Sequence, residues 1–264
     1  WAIAGGVALN CCANSKLRDA VGGTLWVPSA AHDAGTALGA ALEAAHLLGE
    51  PKPKPLTHAG LGPALSAGEI DSALQSTGGR EIASGNGVEQ IAVERLMRGE
   101  TIGWVSGRME YGPRALGHRS IISHPGHPGA QDRVNGIKSR QRWRPFGPSV
   151  LAEHASTWFE DTAFGPFMTF TTKVREDKRA EVAGIVHVDG TTRPQMVDER
   201  ANPAWCKLIE LFKDASGIPM VLNTSFNGRG EPIVANALDA LTSAKHNGLD
   251  AVVLEDRFID LSET

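Results

Sequence analysis

Cysteine is scarce in this 264-residue chain: there are three, and two of them, Cys11 and Cys12, are adjacent. Such a set cannot staple a fold, so a disulfide scaffold is excluded, and a reducing, cytoplasmic setting is the expectation. Long apolar runs are missing too. None approaches the roughly 20 residues that span a bilayer, so no membrane partner is expected. Nor is positive charge in excess. Lys and Arg total 26 against 30 Asp and Glu, for a net charge of −4, and the basic residues gather in loops rather than along one stripe. A nucleic-acid partner is therefore not expected. Internal repeats and low-complexity tracts are absent as well. What remains is enough chain for one large or two modest domains with a full hydrophobic core.

The first residue is Trp1, and Trp1–Val7 reads as the middle of a buried strand. The expectation is the C-terminal part of a longer polypeptide. Leu38, Leu42 and Ala45 stand at helical spacing within Gly35–Leu48, with Asp33 just ahead. The run Pro51-Lys52-Pro53-Lys54-Pro55 reads as a stiff linker and places a domain boundary between residues 1–50 and 61–264. Ser66 and Glu69 form a capping box ahead of a helix, and Val88–Arg98 forms a second. Asn202-Pro203 opens a helix whose apolar stripe is Trp205, Leu208, Ile209 and Phe212, and Gly217 closes it. A strand at Ile218–Leu222, a helix at Ala237–His246 and a strand at Leu249–Leu254 complete an α/β pattern.

The chemistry is concentrated in loops. Gly107-Arg108-Met109-Glu110-Tyr111-Gly112-Pro113-Arg114-Ala115-Leu116-Gly117-His118-Arg119-Ser120 follows a short strand at Thr101–Ser106. Glycines let a backbone approach a ligand, and arginines offer forked donors to phosphate or carboxylate oxygens. Asn135–Pro148, with Lys138, Arg140, Arg142 and Arg144, forms a second basic cluster, and His187–Arg193 forms a third. Val221–Pro232 is a strand ending in Asn223, Thr224, Ser225, Asn227 and Arg229. Four such loops suggest one polyanionic ligand gripped from several sides. Arg114 and Arg144 are the best candidates on this reading alone, each beside a proline (Pro113, Pro145) that partly fixes its backbone. Arg108, Arg119 and Arg140 either brace loops through carbonyls or touch ligand, Arg229 could staple its loop to Glu231, and His187 and Asp189 shape the loop presenting Arg193. His124 and His127 alternate with Pro-Gly turns and read as a loop, not a zinc site. All three cysteines read as buried structural thiols.

These four motifs, with Ala4–Cys11 and Asp33–Ala41, resemble the O-carbamoyltransferase family of the nodulation, cephamycin and tobramycin type along nearly the whole chain. The resemblance implies a YrdC-like mixed α/β domain, preceded by a partial actin-like ATPase (Kae1-like) segment. It implies that carbamoyl phosphate is hydrolysed to carbamate, which attacks ATP to give carbamoyl-adenylate, with Mg²⁺ assisting. The carbamoyl group then passes to a hydroxyl of a small-molecule or sugar acceptor; the alternatives are a threonylcarbamoyl-adenylate enzyme of the tRNA-modification type and a non-catalytic YrdC-like nucleotide- or RNA-binding module. Arg114, Lys138, Arg144, Arg193 and Ser225 fall on the family's carbamoyl-phosphate and ATP site, with Asn227 beside Ser225. Gly5, Gly6 and Asn10 resemble its adenylate-facing loop. Asp33 matches an aspartate that holds Fe²⁺ together with two histidines in the complete enzyme, whereas taken alone it reads as a helix N-cap. Those histidines would belong to an N-terminal half, with which this chain would associate; homodimers occur in the family. Gly126 and Gln141 depart from the usual arginine and glutamate.

Overall fold

The structure, a computed structural model, describes residues 1–261. Its first part carries α1 (Cys11–Val21) and α2 (Gly35–Leu47). The remainder runs α3 (Ala67–Thr77), β1 (Arg80–Ser84), α4 (Val88–Met97), β2 (Ile102–Val105), β3 (Arg119–Ser123), α5 (Ala130–Ile137) and β4 (Gly147–Leu151). After the short α6 (Ala155–Trp158) come β5 (Thr172–Lys173), β6 (Thr191–Thr192), β7 (Gln195–Val197) and α7 (Pro203–Ser216). The chain closes with β8 (Met220–Ser225), α8 (Ala237–Asn247), β9 (Ala251–Leu254) and β10 (Arg257–Asp260). Eight strands form one mixed sheet in the order β1-β10-β9-β2-β3-β8-β4-β7, with β2 parallel to β9, β4 parallel to β7 and the other pairs antiparallel. The mixed α/β class read from the sequence is therefore present.

The core follows from the two-residue period of strands. Trp104, Ile122 and Val253 enter one apolar cluster, with α4 and α7; their neighbours Val105, Ile121 and Val252 enter the other, with α3 and α8. Both faces of the central strands are thus covered, which is why β2, β3, β4 and β9 are buried at every residue. Gly103 is needed between the layers, because a β-carbon there would sit 2.5 Å from the Phe226 ring. Caps fix the helix ends. Ser66 and Glu69 close the expected capping box on α3, and Asn202 caps α7 at the Trp205 N–H, with Gly217 at φ 76° ending it.

One expectation fails at the start. Trp1–Val7 is not a buried strand: only Ala2 bridges Trp26, Gly6–Leu9 is a 3-10 turn, and Trp1 and Val7 are exposed. The run meets Trp26 and Ala31 through a few backbone bonds (Ile3 N to Trp26 O, Trp26 N to Trp1 O, Gly5 N to Ala31 O) but forms no strand ladder, so hydrophobicity alone misleads. The first part docks on the sheet domain through α1. Asn14 donates to Ala8 O and Thr169 O, Ser15 bonds Thr171, and Arg18 pairs with Asp161 at 2.6 Å. Residues 51–58 carry no regular structure.

Candidate active site

Sheet topology gathers the four basic loops. Arg119 at the start of β3 pairs with Val105 at the end of β2, Ser120 pairs with Ser225 at the end of β8, and Gly147 at the start of β4 pairs with Asn223. β7, which Arg193 precedes, runs parallel to β4. Strand ends of matching sense therefore place the loops 106–118, 138–146, 193–194 and 226–231 on one edge of the sheet.

Lys138 stands at the C-terminal end of α5, next to Ser139 at φ 45°. Its ammonium donates to Ser225 O (2.7 Å), Ser225 Oγ (3.1 Å), Asn227 O (2.7 Å) and Asn227 Oδ1 (2.5 Å). Asn227 Oδ1 also accepts from the Ser225 hydroxyl at 2.7 Å, and its amide donates to Glu231 O. Lys138, Ser225 and Asn227 thus form one hydrogen-bonded cluster. Four acceptors for three N–H bonds leave the lysine internally saturated, and contact with a ligand means exchanging one of them. Burial, then Arg140 and Arg144, push this lysine down to about 7, with Glu231 opposing.

The arginines are less occupied. Arg114 makes one bond, to Leu9 O at 3.2 Å, and is pushed down to about 10 by burial and then by Arg193. Arg193 is driven down by burial, opposed by a hydrogen bond with the Cys11 thiol, and its Nε is buried without a partner. Arg140 lies 4.4 Å over the Phe146 ring, bonds Asn135 Oδ1, and is pushed down to about 10 by burial, Arg144 and Arg193. The buried Asn135 amide in turn donates to Arg142 O and Arg144 O, pinning the loop that carries Arg144. Repulsion thus links Arg114 to Arg193, Arg193 to Arg140, and Arg140 to Arg144 and Lys138. Like charges crowded at a half-buried edge raise the free energy of the empty site, and a polyanion relieves them.

Other residues settle differently. Arg108 donates to Gly62 O and Leu61 O, and the fully buried Arg119 to Gly107 O and His118 O, so both brace loops. Arg229 does not staple Glu231, whose carboxylate instead accepts from Gly228 N and Ser243 Oγ. The loop before Arg193 is a closed turn, with Asp189 Oδ1 taking Thr191 N, Thr191 Oγ1 and His187 Nδ1. Cys206 is buried and its thiol is pushed up to about 12 by burial, but Cys12 is exposed, against the expectation for all three thiols. α1 begins there and points that position outward.

Gly5, Gly6, Asn10 and Asp33 are exposed. Asn10 Oδ1 caps α1 by accepting from Ala13 N. Gly5 and Asp33 line a cleft of about 610 Å³ together with Trp26, Leu42, Tyr111 and Phe167. Asp33 is not the N-cap of α2, which begins after Ala34 without a side-chain cap. Among the described residues no group of three or more His, Cys, Asp or Glu is placed to hold a metal. Asp33 by itself does not fit an iron centre.

Sequence reasoning missed Asn223. Its amide donates to Ala115 O (3.0 Å) and Ser149 Oγ (2.9 Å), leaving Oδ1 a buried acceptor without a partner. Two residues before Ser225 on β8, it shares that residue's face of the sheet. An asparagine inside an otherwise apolar strand was the available signal. No helix of the described residues is long and apolar enough to cross a membrane.

Comparison with known proteins finds relatives along nearly the whole chain. The nodulation protein NolNO of Sinorhizobium fredii is 44% identical over 96% of this chain and 38% of its own length. NolO of Bradyrhizobium diazoefficiens is 43% identical over 96% of this chain and 47% of its own. The 3'-hydroxymethylcephem-O-carbamoyltransferase of Amycolatopsis lactamdurans is 30% identical over 99% and 49%. The chain thus spans about half or less of the length of the curated relatives it matches. Among solved structures, full-length HypF in its phosphate- and nucleotide-bound form overlaps 65% of this chain and 25% of its own, with TM-score 0.47 and 17% identity. The sequence models described as Carbamoyltransferase N-terminus and Carbamoyltransferase C-terminus match residues 1–42 and 93–260. The chain belongs to the carbamoyltransferase family.

Proposed function

We propose that the sheet edge is where carbamoyl phosphate is activated with ATP, for transfer of the carbamoyl group to a hydroxyl of a small-molecule or sugar acceptor. The observation that carries this reading is the strand pairing that brings the loops of Arg114, Arg193, Arg140, Arg144 and Lys138 to one edge although these cations repel one another. Water attacks the carbamoyl carbon of carbamoyl phosphate, the C–O bond to phosphate breaks, and carbamate and phosphate form. A carbamate oxygen then attacks the α-phosphorus of ATP, the bond to the β-phosphate oxygen breaks, and pyrophosphate leaves carbamoyl-adenylate. Negative charge stays on phosphoryl oxygens throughout, so fixed cations supply the stabilisation.

Arg114 and Arg193, with few partners of their own, take phosphate oxygens bidentately, and Arg144 reaches them from the opposite loop. Lys138 orders Ser225 and Asn227 and exchanges one of its four oxygens for the ligand. Asn223 Oδ1 is suited to the carbamoyl N–H₂, a donor that bare phosphate lacks. Mg²⁺ bound to the ATP phosphates would supply further neutralisation of their charge. Transfer to the acceptor, and any role of Asp33 with Fe²⁺, belongs to the complete enzyme, and the described residues derive no step through iron.

The name of the Amycolatopsis relative gives it a hydroxymethyl acceptor and O-transfer, which supports a hydroxyl acceptor here. The test is mass-spectrometric detection of carbamoyl-adenylate after incubation with carbamoyl phosphate, ATP and Mg²⁺. We expect product from the wild type and none from Arg114→Ala. Its absence from the wild type, both alone and with the N-terminal portion of a full-length relative added, would overturn the proposal.

A further inference from the structure

Glu110 is a buried carboxylate that the chemistry above does not use, and it sits in the loop that carries Arg114. Its Oε1 accepts three backbone N–H groups: Leu116 at 2.7 Å, His118 at 2.8 Å and Arg119 at 3.0 Å. The intervening Gly117 N–H goes to Ser120 Oγ at 3.2 Å. The carbonyls of the same segment are equally held. Ala115 O accepts from Asn223, Leu116 O from Gln195 at 2.9 Å, Gly117 O from Trp104 Nε1 at 3.1 Å, and His118 O from Arg119.

Apart from the Ser106 N–H, which bonds His118 O, side chains satisfy these groups before β3 begins. A loop wired in this way from Leu116 to Arg119 has little backbone freedom with which to slide or refold locally. Gly117, at φ 93°, adds a constraint, because a β-carbon there would lie 2.5 Å from the Trp205 ring. The segment begins one residue after Arg114, so its rigidity is passed to the arginine's backbone. Pro113 fixes φ from the other side.

We propose that Glu110 is the positioning residue for Arg114, acting through the 115–119 segment and touching no substrate itself. The inference rests on the reading that Arg114 binds carbamoyl phosphate. Placing a guanidinium for bidentate contact with a small anion requires its base to be held closely, and a carboxylate that gathers three N–H groups onto one oxygen does that. Gln195 and Asn223 are its counterparts on the carbonyl side. Both reach the loop from buried positions and meet at Ser149, whose hydroxyl bonds Gln195 Oε1 at 2.6 Å.

The test is a double-mutant cycle read by calorimetric affinity for carbamoyl phosphate. Glu110→Ala should weaken binding about tenfold in the wild-type background and not further in Arg114→Ala, because the loop then has no guanidinium left to aim. Glu110→Gln keeps an acceptor oxygen and should stay within about threefold. A purely structural role would lower affinity by the same factor in both backgrounds, and that additivity, or an unchanged affinity in folded Glu110→Ala, overturns the proposal. Should Glu110→Ala fail to fold, the cycle is run with Gln195→Met, which frees Leu116 O and the Ser149 hydroxyl; a loss of affinity that vanishes in Arg114→Ala supports the proposal, and an additive loss overturns it. A wild type that does not bind carbamoyl phosphate overturns the functional reading and this inference with it. Wild-type binding that the Glu110 changes leave unmoved overturns the inference alone.

Discussion

Helix α2 and the central strands of the sheet meet solvent in opposite ways. α2 buries none of its residues although it is rich in alanine and leucine, and Leu42, Leu47 and Leu48 lie exposed. In the sheet domain β2, β3, β4 and β9 are buried throughout, and even the loops are held by buried side chains. The candidate residues divide along the same line. Gly5, Gly6, Asn10 and Asp33 are exposed and uncoupled, whereas Lys138, Ser225 and Asn227 share hydrogen bonds and the arginines repel one another. The lesson is that the cationic residues of the candidate site are gathered by the sheet pairing, while among the described residues none joins Asp33 in a metal-binding group.

The strongest way to break this comparison is by stability. Phe226 is fully buried against the glycine at 103, and Phe226→Ala should cost about 3–5 kcal/mol. Leu47→Ala on the exposed helix should change stability by under about 0.5 kcal/mol. Urea unfolding of both variants checks it. A cost for Leu47→Ala near that of Phe226→Ala would mean that α2 is packed against something in solution, and the contrast would fail.

A smaller and more specific effect follows from Arg193. It is buried, lacks a partner at Nε and is repelled by Arg114, so removing it relieves the empty protein while depriving the ligand. Arg193→Met should raise unliganded stability by about 1 kcal/mol and weaken carbamoyl phosphate binding by about 2 kcal/mol. Opposite signs in thermal unfolding and calorimetry are the signature. Equal destabilisation in both would make Arg193 a structural brace.

Lys138 gives a pH test. Its folded-state value is pushed from the ordinary 10.5 down to about 7, so between those limits the native state holds fewer protons than the unfolded chain. Stability should therefore rise with pH from about 7 to about 8, below the range in which the Cys206 thiol of the unfolded chain titrates with the opposite sign. Lys138→Met should flatten that rise in urea midpoints. A slope that persists in the variant would assign the titration elsewhere.

Much of this was legible in the sequence, for reasons that differ by residue. Ser66 with Glu69, and Asn202-Pro203 with Gly217, act locally, and the structure closes these caps as their spacing implies. The four basic loops were legible as loops, but only the pairings Val105–Arg119, Ser120–Ser225 and Gly147–Asn223 bring them to one edge. The roles of Glu110 and Asn223 were hidden, although both stand in the motifs read from the sequence, because their work lies in backbone groups and an empty acceptor for which no spacing rule exists. Trp1–Val7 misled because an apolar run says nothing of whether a partner strand exists.

The cysteines sharpen the comparison where the two regions touch. Cys11 belongs to the first region by sequence, yet its thiol lies beside Arg193 and Arg114 of the sheet domain. Cys12, one residue on, is exposed, and Cys206 is buried with its thiol pushed up to about 12. With a maleimide read by peptide mass spectrometry, Cys12 should label first and Cys206 last. Cys11 should fall between them and be slowed several-fold by saturating carbamoyl phosphate, since an anion on Arg193 closes the approach to that thiol. Slowing of Cys12 and Cys11 together would indicate a movement of α1 as a whole, whereas slowing of Cys11 alone places the anion at the seam between the regions.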